Sequence, residues 1–218
     1  MAGTNEGLRE RKKRATRDQI ASTARRLFAD RGFDDVTVAQ VAAAAGVSEK
    51  TVFNHFAAKE DLAFAGGEGP VRQLLEDIAH RPAGTPVLDV FRATTESMIH
   101  GLTTTEQADE IVEVTRIVRG SRVLGERLMT KWEREFAALA AVIAETAGAE
   151  DGDVVPEIAA RTLWWTHRAI FRTAIDGLLQ DEDRKELAVR LRAESARAYD
   201  RVAEGLGEYG AAQVTSKR

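Results

Sequence analysis

The chain has 218 residues, with 31 Lys and Arg against 35 Asp and Glu, a formal charge of −4, and no cysteine. That length buries a full hydrophobic core without covalent staples, and the missing cysteine excludes disulfides, thiolate metal sites and a cysteine nucleophile. The net charge argues against binding nucleic acid over the whole surface, and no apolar run, Val41 to Ala45 being typical, approaches the ~20 residues of a membrane span. The N-terminus is polar and basic with no apolar stretch of a secretory signal behind it, so a cytoplasmic protein with no membrane partner is expected.

Hydrophobic spacing is helical nearly throughout, and no segment sustains period-two alternation. Arg9, Arg11, Lys12, Lys13, Arg14 and Arg17 form a basic head on a body that turns acidic after about residue 67, so one end alone is suited to a polyanion. The same run also fits a solvated tail. Ile20, Ala24, Leu27 and Phe28 predict a first helix that stops at Arg31-Gly32. Thr37 caps a short helix to about Ala44, Ser48 caps another to about Phe56, and Lys59-Glu60-Asp61-Leu62 opens a fourth. The stretch Gly66 to Pro70 must break or bend it. Further helices follow on Val71, Leu74, Leu75 and Ile78; on Phe91, Thr94, Met98 and Leu102; on Ile111, Val114, Ile117 and Val118; and on Leu124, Leu128, Trp132, Phe136, Leu139 and Ile143. After an acidic loop from Gly148 to Asp153, Pro156 to Leu179 and Asp183 to Gly205 supply two long helices before a polar tail. The expected fold is all-α with about nine helices: a flexible basic arm over 1–15, a three-helix head over 16–62, a larger bundle over 63–208 and a tail over 209–218.

The segment from Thr37 to Phe56 carries most of the information. Two helices crossing over a tight turn need a small residue at the contact, which Ala42 provides, and a positive-φ turn position, which suits Gly46. Val38, Val41, Val47 and Val52 are spaced to fasten the pair, and Ser48 supplies the N-cap oxygen of the second helix. With Val52 and Phe56 facing inward, Glu49, Lys50, Thr51 and Asn54 project outward, with His55 and Lys59 towards one end. A recognition helix places its N-terminal side chains on base edges in the major groove. There Lys50 can donate to guanine, Glu49 can accept from cytosine N4, and Thr51 suits a thymine methyl or a phosphate. Asn54, His55 and Lys59 suit phosphates. An ordinary corner of two helices with a solvated face fits the same spacing.

The ordered set Leu27-Phe28-Ala29-Asp30-Arg31-Gly32-Phe33, Thr37-Val38, Ala42, Gly46-Val47-Ser48, Val52-Phe53-Asn54-His55-Phe56 and Lys59-Glu60-Asp61-Leu62 resembles the TetR family of bacterial transcriptional regulators over about residues 14 to 64. The resemblance implies a helix-turn-helix head that binds double-stranded DNA, with Thr37 and Lys59 at phosphates. Phe53 departs from the family's usual Tyr, losing one phosphate hydrogen bond, and is read as a packing contact. Arg14 and its neighbours become an extended arm for a minor groove or phosphates. The resemblance further implies a homodimer on a palindromic operator, paired through the last two long helices; those helices also fit intramolecular packing. It implies a small-molecule effector, of acyl or other hydrophobic type, and repression as the default mode.

Phe91, Met98, Trp132, Phe136, Trp164 and Phe171 are enough aromatic and soft surface to line an effector pocket, with His167 and Arg168 anchoring a polar or anionic end. Trp165, His100, Arg116 and Arg172 are further candidates, and each of these residues fits plain core or surface as well. A ligand preferring one body conformation would shift the heads and lower DNA affinity, with motion absorbed at Gly66 to Pro70. No enzyme, cofactor or metal is expected. Gly205-Leu-Gly-Glu-Tyr-Gly210 matches a dinucleotide fingerprint but lacks a preceding strand and room for a βαβ unit. Glu96 and His100 make a single pair, short of a di-metal set. The competing function is a helical ligand-binding or interaction protein without DNA binding.

Overall fold

The computed structural model describes residues 3–66, 69–104 and 107–206, and among these it contains ten helices and no strand. In chain order they are α1 (Gly3–Arg31), α2 (Val38–Ala44), α3 (Glu49–His55), α4 (Lys59–Ala63), α5 (Gly69–Ala79), α6 (Val87–Thr104), α7 (Gln107–Arg119), α8 (Arg122–Ala147), α9 (Val155–Leu179) and α10 (Arg184–Leu206). The tail over 209–218, most of the fingerprint-like stretch after Gly205, and Gly67-Glu68 in the expected break lie outside the described residues.

The chain divides into two compact units, Met1–Glu68 with Glu113–Met129, and Gly69–Val112 with Thr130–Arg218. The first is larger than the contiguous 16–62 head expected from sequence. It recruits Glu113–Met129 because Ile117 and Leu124 complete its apolar core alongside Ile20, Phe28, Val41, Val52 and Leu62. Helices α7 and α8 therefore each contribute residues to both units.

In the first unit α1 buries Ile20, Ala21, Ala24 and Phe28, a stripe one helical face wide. It ends where Gly32 takes φ +85, and Phe33 folds back to meet Phe28 edge-on at 5.0 Å. The arm expected to be flexible is instead the N-terminal part of α1, which runs back to Gly3. Its Arg, Lys, Ala and Glu residues are strong helix formers, and extending a helix already nucleated by the docked turns costs far less than starting one. Over 7–15 every residue is exposed, so that extension packs against nothing in its own unit.

In the second unit α6, α9 and α10 pack against one another, and α5 lies on α6. The core joins Leu74 and Ile78 of α5, Phe91 and Ile99 of α6, Phe136, Leu139 and Ile143 of α8, Leu163 and Ala174 of α9, and Leu187, Leu191 and Tyr199 of α10. Burial of each large apolar side chain contributes about 1.5–3 kcal/mol. By contrast, the exposed ion pairs Arg92–Asp200 and Arg192–Glu96, both at 2.7 Å, contribute about 1 kcal/mol or less apiece. Packing, not charge, joins α6 to α10. The α9–α10 corner closes on Gly177, where an added Cβ would stand 2.7 Å from Leu187 Cδ1.

Candidate functional site

The turn between α2 and α3 forms as its residues require. Thr37 caps α2 through Oγ1, which accepts from Gln40 N at 3.2 Å, while the Gln40 side chain accepts from Thr37 N at 2.8 Å. Ala42 is buried at the contact, and Gly46 takes φ +68 with no atom within 4 Å of where a Cβ would stand. That glycine is needed for its backbone conformation alone. Ser48 Oγ then accepts from Thr51 N at 3.1 Å and opens α3. Val41 and Val52 are fully buried, with Val38 and Val47 packed partly against them.

Helix α3 consequently has two unlike faces. Val52 and the C-cap residue Phe56 are buried, whereas Glu49, Lys50 and Asn54 are exposed. Thr51 is half-buried, and its hydroxyl lies 2.9 Å from Ser48 Oγ. Phe53, read as a packing contact, is instead 52% exposed. Position 53 shares the exposed side of α3 with Glu49, Lys50 and Asn54. His55 is half-buried, and its carbonyl accepts from Arg17 at 2.6 Å. The Arg17 guanidinium also lies 4.4 Å above the Phe56 ring. Arg17 thus caps the end of α3, while Arg14, three residues earlier, is exposed. Lys59 stands 4.1 Å over the Phe33 ring at the start of α4. Asp61 holds that start twice, accepting from Ala58 N at 3.2 Å through one oxygen and from Arg127 at 2.7 Å through the other. Together with the 3.2 Å bond from Ser121 to Asp34, this fastens the beginning of α8 to the α1–α4 core.

The second unit brings the expected effector residues together. Phe91, Phe136 and Trp164 are buried, and Met98, Trp132 and Phe171 pack against the same core. His167 lies between the Trp164 ring (6.0 Å, stacked) and the Phe91 ring (6.5 Å, edge-on). Its Nδ1 is 2.8 Å from Thr95 Oγ1, which is 2.7 Å from Tyr199 OH, so one hydroxyl ties α6 to both α9 and α10. Burial, with Arg168 nearby, pushes His167 down to about 4. Burial raises Tyr199 to about 12 despite its bond to Thr95. The Arg168 guanidinium lies 4.1 Å over Trp132 and 4.8 Å over Phe171, and desolvation lowers it to about 10. It remains a cation at neutral pH. Trp165, half-exposed, touches Trp132 edge-on at 5.9 Å. His100 and Arg172 are exposed in the second unit, and Arg116 is exposed in the first.

The known proteins that this chain is similar to agree with the head. A profile of the bacterial regulatory proteins of the tetR family matches residues 20–65. The HTH-type transcriptional regulator TcmR of Streptomyces glaucescens is 35% identical over 156 residues, 69% of each chain. The chain belongs to the TetR family. A second relative, the putative mycofactocin biosynthesis transcriptional regulator MftR of Mycobacterium tuberculosis, is 25% identical over 198 residues, 90% of this chain and 93% of that one. Among solved structures, NalD of Pseudomonas aeruginosa, the secondary repressor of the MexAB-OprM multidrug efflux pump, shares the fold with a TM-score of 0.59 and 22% identity. The match covers 86% of this chain and 96% of NalD. The TetR family consists of transcriptional regulators that bind DNA through this head, and not of enzymes.

Several groups that shape this TetR-family chain carried little sequence signal. Arg17 reads as one more basic residue of the arm, and only the fold turns it onto His55 and Phe56. Thr95 and Tyr199 read as polar interruptions of helical stripes, although Tyr199 keeps the spacing of Leu191 plus eight. That spacing was the available clue to its burial.

Proposed function

We propose that this TetR-family regulator is a repressor that binds a palindromic operator as a homodimer and leaves it when a hydrophobic, acyl-type small molecule occupies the second unit. One observation carries the DNA half: Glu49, Lys50 and Asn54 are exposed on a helix whose other face is sealed by Val52 and Phe56. None of the three makes a side-chain hydrogen bond or ion pair among the described residues, while base edges in a major groove would engage them. Thr37, Ser48, Thr51 and Lys59 lie at the helix starts and His55 at the end of α3, and these five serve phosphates. Arg14, with Arg11 to Lys13, extends the basic surface along α1 in helical form. For the dimer, α9 and α10 leave apolar groups in solvent, namely Ile158 (53%), Trp165 (49%) and Val189 (69%), which favours a partner helix pair over a free surface. For the effector, the proposed site is Phe91, Met98, Trp132, Phe136, Trp164, His167, Arg168 and Phe171. The cytoplasm is the expected compartment.

The test is a mobility shift on DNA from the gene's own upstream region at several salt concentrations. Wild type shifts a discrete fragment with a steep salt dependence. Neutralising Arg11 to Arg14 lowers affinity for all sequences alike and flattens the slope. A protein that binds no fragment of its own upstream region, at any salt, leaves only the reading of a helical ligand-binding protein without DNA.

A further inference from the structure

Two buried N–H donors in the second unit, Trp164 Nε1 and Arg168 Nε, have no hydrogen-bond partner among the described residues. They are four apart on α9 and so sit one above the other on the same helical face. An unmet buried donor is costly, more so on a charged group. A buried guanidinium normally has a carboxylate fork beside it. Here no ion pair to Arg168 is found among the described residues. Glu135, the acid whose field reaches it, forms its own ion pair with Lys131. Trp132 and Phe171 cover the guanidinium at 4.1 and 4.8 Å. Stacking of that kind engages the π-faces and leaves the in-plane N–H edge available.

We propose that Trp164 and Arg168 form a carboxylate-binding subsite, and that the effector is an apolar small molecule bearing one carboxylate, its oxygens taken by Arg168 Nε and Trp164 Nε1 and its hydrocarbon by Trp132, Phe136 and Phe171. This rests on the effector reading of the second unit and gives it a chemistry. A planar anion offers one acceptor oxygen to each of two donors, and charge-assisted bonds in a dry site are the strong ones. Both nitrogens are sealed from solvent. The ligand therefore gains access only as the surrounding side chains give way, which makes occupancy favour a different arrangement of α8 and α9.

The experiment measures melting shifts and calorimetric binding of the full chain with decanoate and 2-naphthoate, each against its own primary amide, which keeps the skeleton and drops the charge. At least one carboxylate should bind and raise the melting temperature by several degrees where its amide does not. Arg168→Met should abolish that effect, and Trp164→Phe, which keeps the ring and loses the N–H, should weaken binding roughly tenfold. Should the Met variant fail to fold, Arg168→Lys serves instead: affinity falls at least tenfold while carboxylate is still preferred over amide. The subsite is overturned if neither carboxylate binds wild type, if carboxylate and amide bind alike, or if the foldable Arg168 variant binds as wild type does. Adding the bound carboxylate to the wild-type DNA complex separates the two claims. Carboxylate binding without DNA release keeps the subsite and removes the induction reading; DNA binding with no carboxylate binding removes the subsite and keeps the regulator.

Discussion

The two units place their polar chemistry on opposite sides. In the first, the core is closed by Phe28, Phe33, Val41 and Val52, with Thr23 and Ser121 as buried polar groups at its edge, and the side chains proposed to recognise DNA stand outside on α3. In the second, polar groups go inward: Thr95, His167 and Tyr199 form a buried chain, and Trp164 and Arg168 keep donors unmet. A surface that reads a large partner needs exposed groups on a rigid support. A site for a small molecule needs groups withdrawn from water, where each hydrogen bond discriminates strongly. Buried polar groups are accordingly a liability for stability in the second unit and absent as one in the α2–α3 turn.

The sharpest way to break that comparison is pH. His167 titrates at about 4 in the folded chain and near its ordinary 6.5 once unfolded. Between those values the unfolded state binds the proton first. Stability contributed by the neutral imidazole is therefore intact above pH 6.5 and lost progressively as pH falls towards 4, by up to about 3 kcal/mol. Denaturation of wild type and His167→Gln from pH 7.5 to 4.5 should show the wild type losing its advantage over the variant across that window. Parallel curves would mean that the imidazole is not buried neutral.

Next in size is Lys50→Ala. A base contact of this type is worth about 1–3 kcal/mol, so operator affinity should fall by about fivefold to a hundredfold, selectively at one base position, with the melting temperature unchanged. An equal loss on all sequences would move Lys50 to the phosphates.

Two glycines sharpen the contrast further. Gly177→Ala puts a methyl against Leu187, which is fully buried and held by the core. Overpacking should cost about 1–3 kcal/mol in chemical denaturation. Gly46→Ala meets no atom at all, so its cost is the left-handed backbone alone, about 1 kcal/mol. If Gly46→Ala proves the worse of the two, the α2–α3 turn is held by more than its backbone conformation.

Much of the first unit was legible because its determinants are neighbours in sequence. Thr37, Gly46 and Ser48 act within three or four residues of themselves, through caps and one φ angle, and the helix bounds followed from them. The second unit was legible as helices but not as a site. That Thr95 meets His167 and Tyr199, 72 and 104 residues further along the chain, depends on how three long helices rotate against each other. Helical periodicity tells which residues share a face but not what that face meets.

Sequence alone determined the α2–α3 turn, the outward placement of Glu49, Lys50 and Asn54 though not of Thr51, which is half-buried, and the pool of aromatic residues from which an effector site is drawn. Tertiary structure decided the rest: that Arg17 closes α3, that Glu113–Met129 joins the first core, that Phe53 stays in solvent, and that Arg168 lies over two rings with no ion pair among the described residues. The division is physical. Caps, turns and periodicity are short-range interactions encoded where they act, whereas burial and pairing of a polar side chain are fixed by partners that the chain brings near only when it folds.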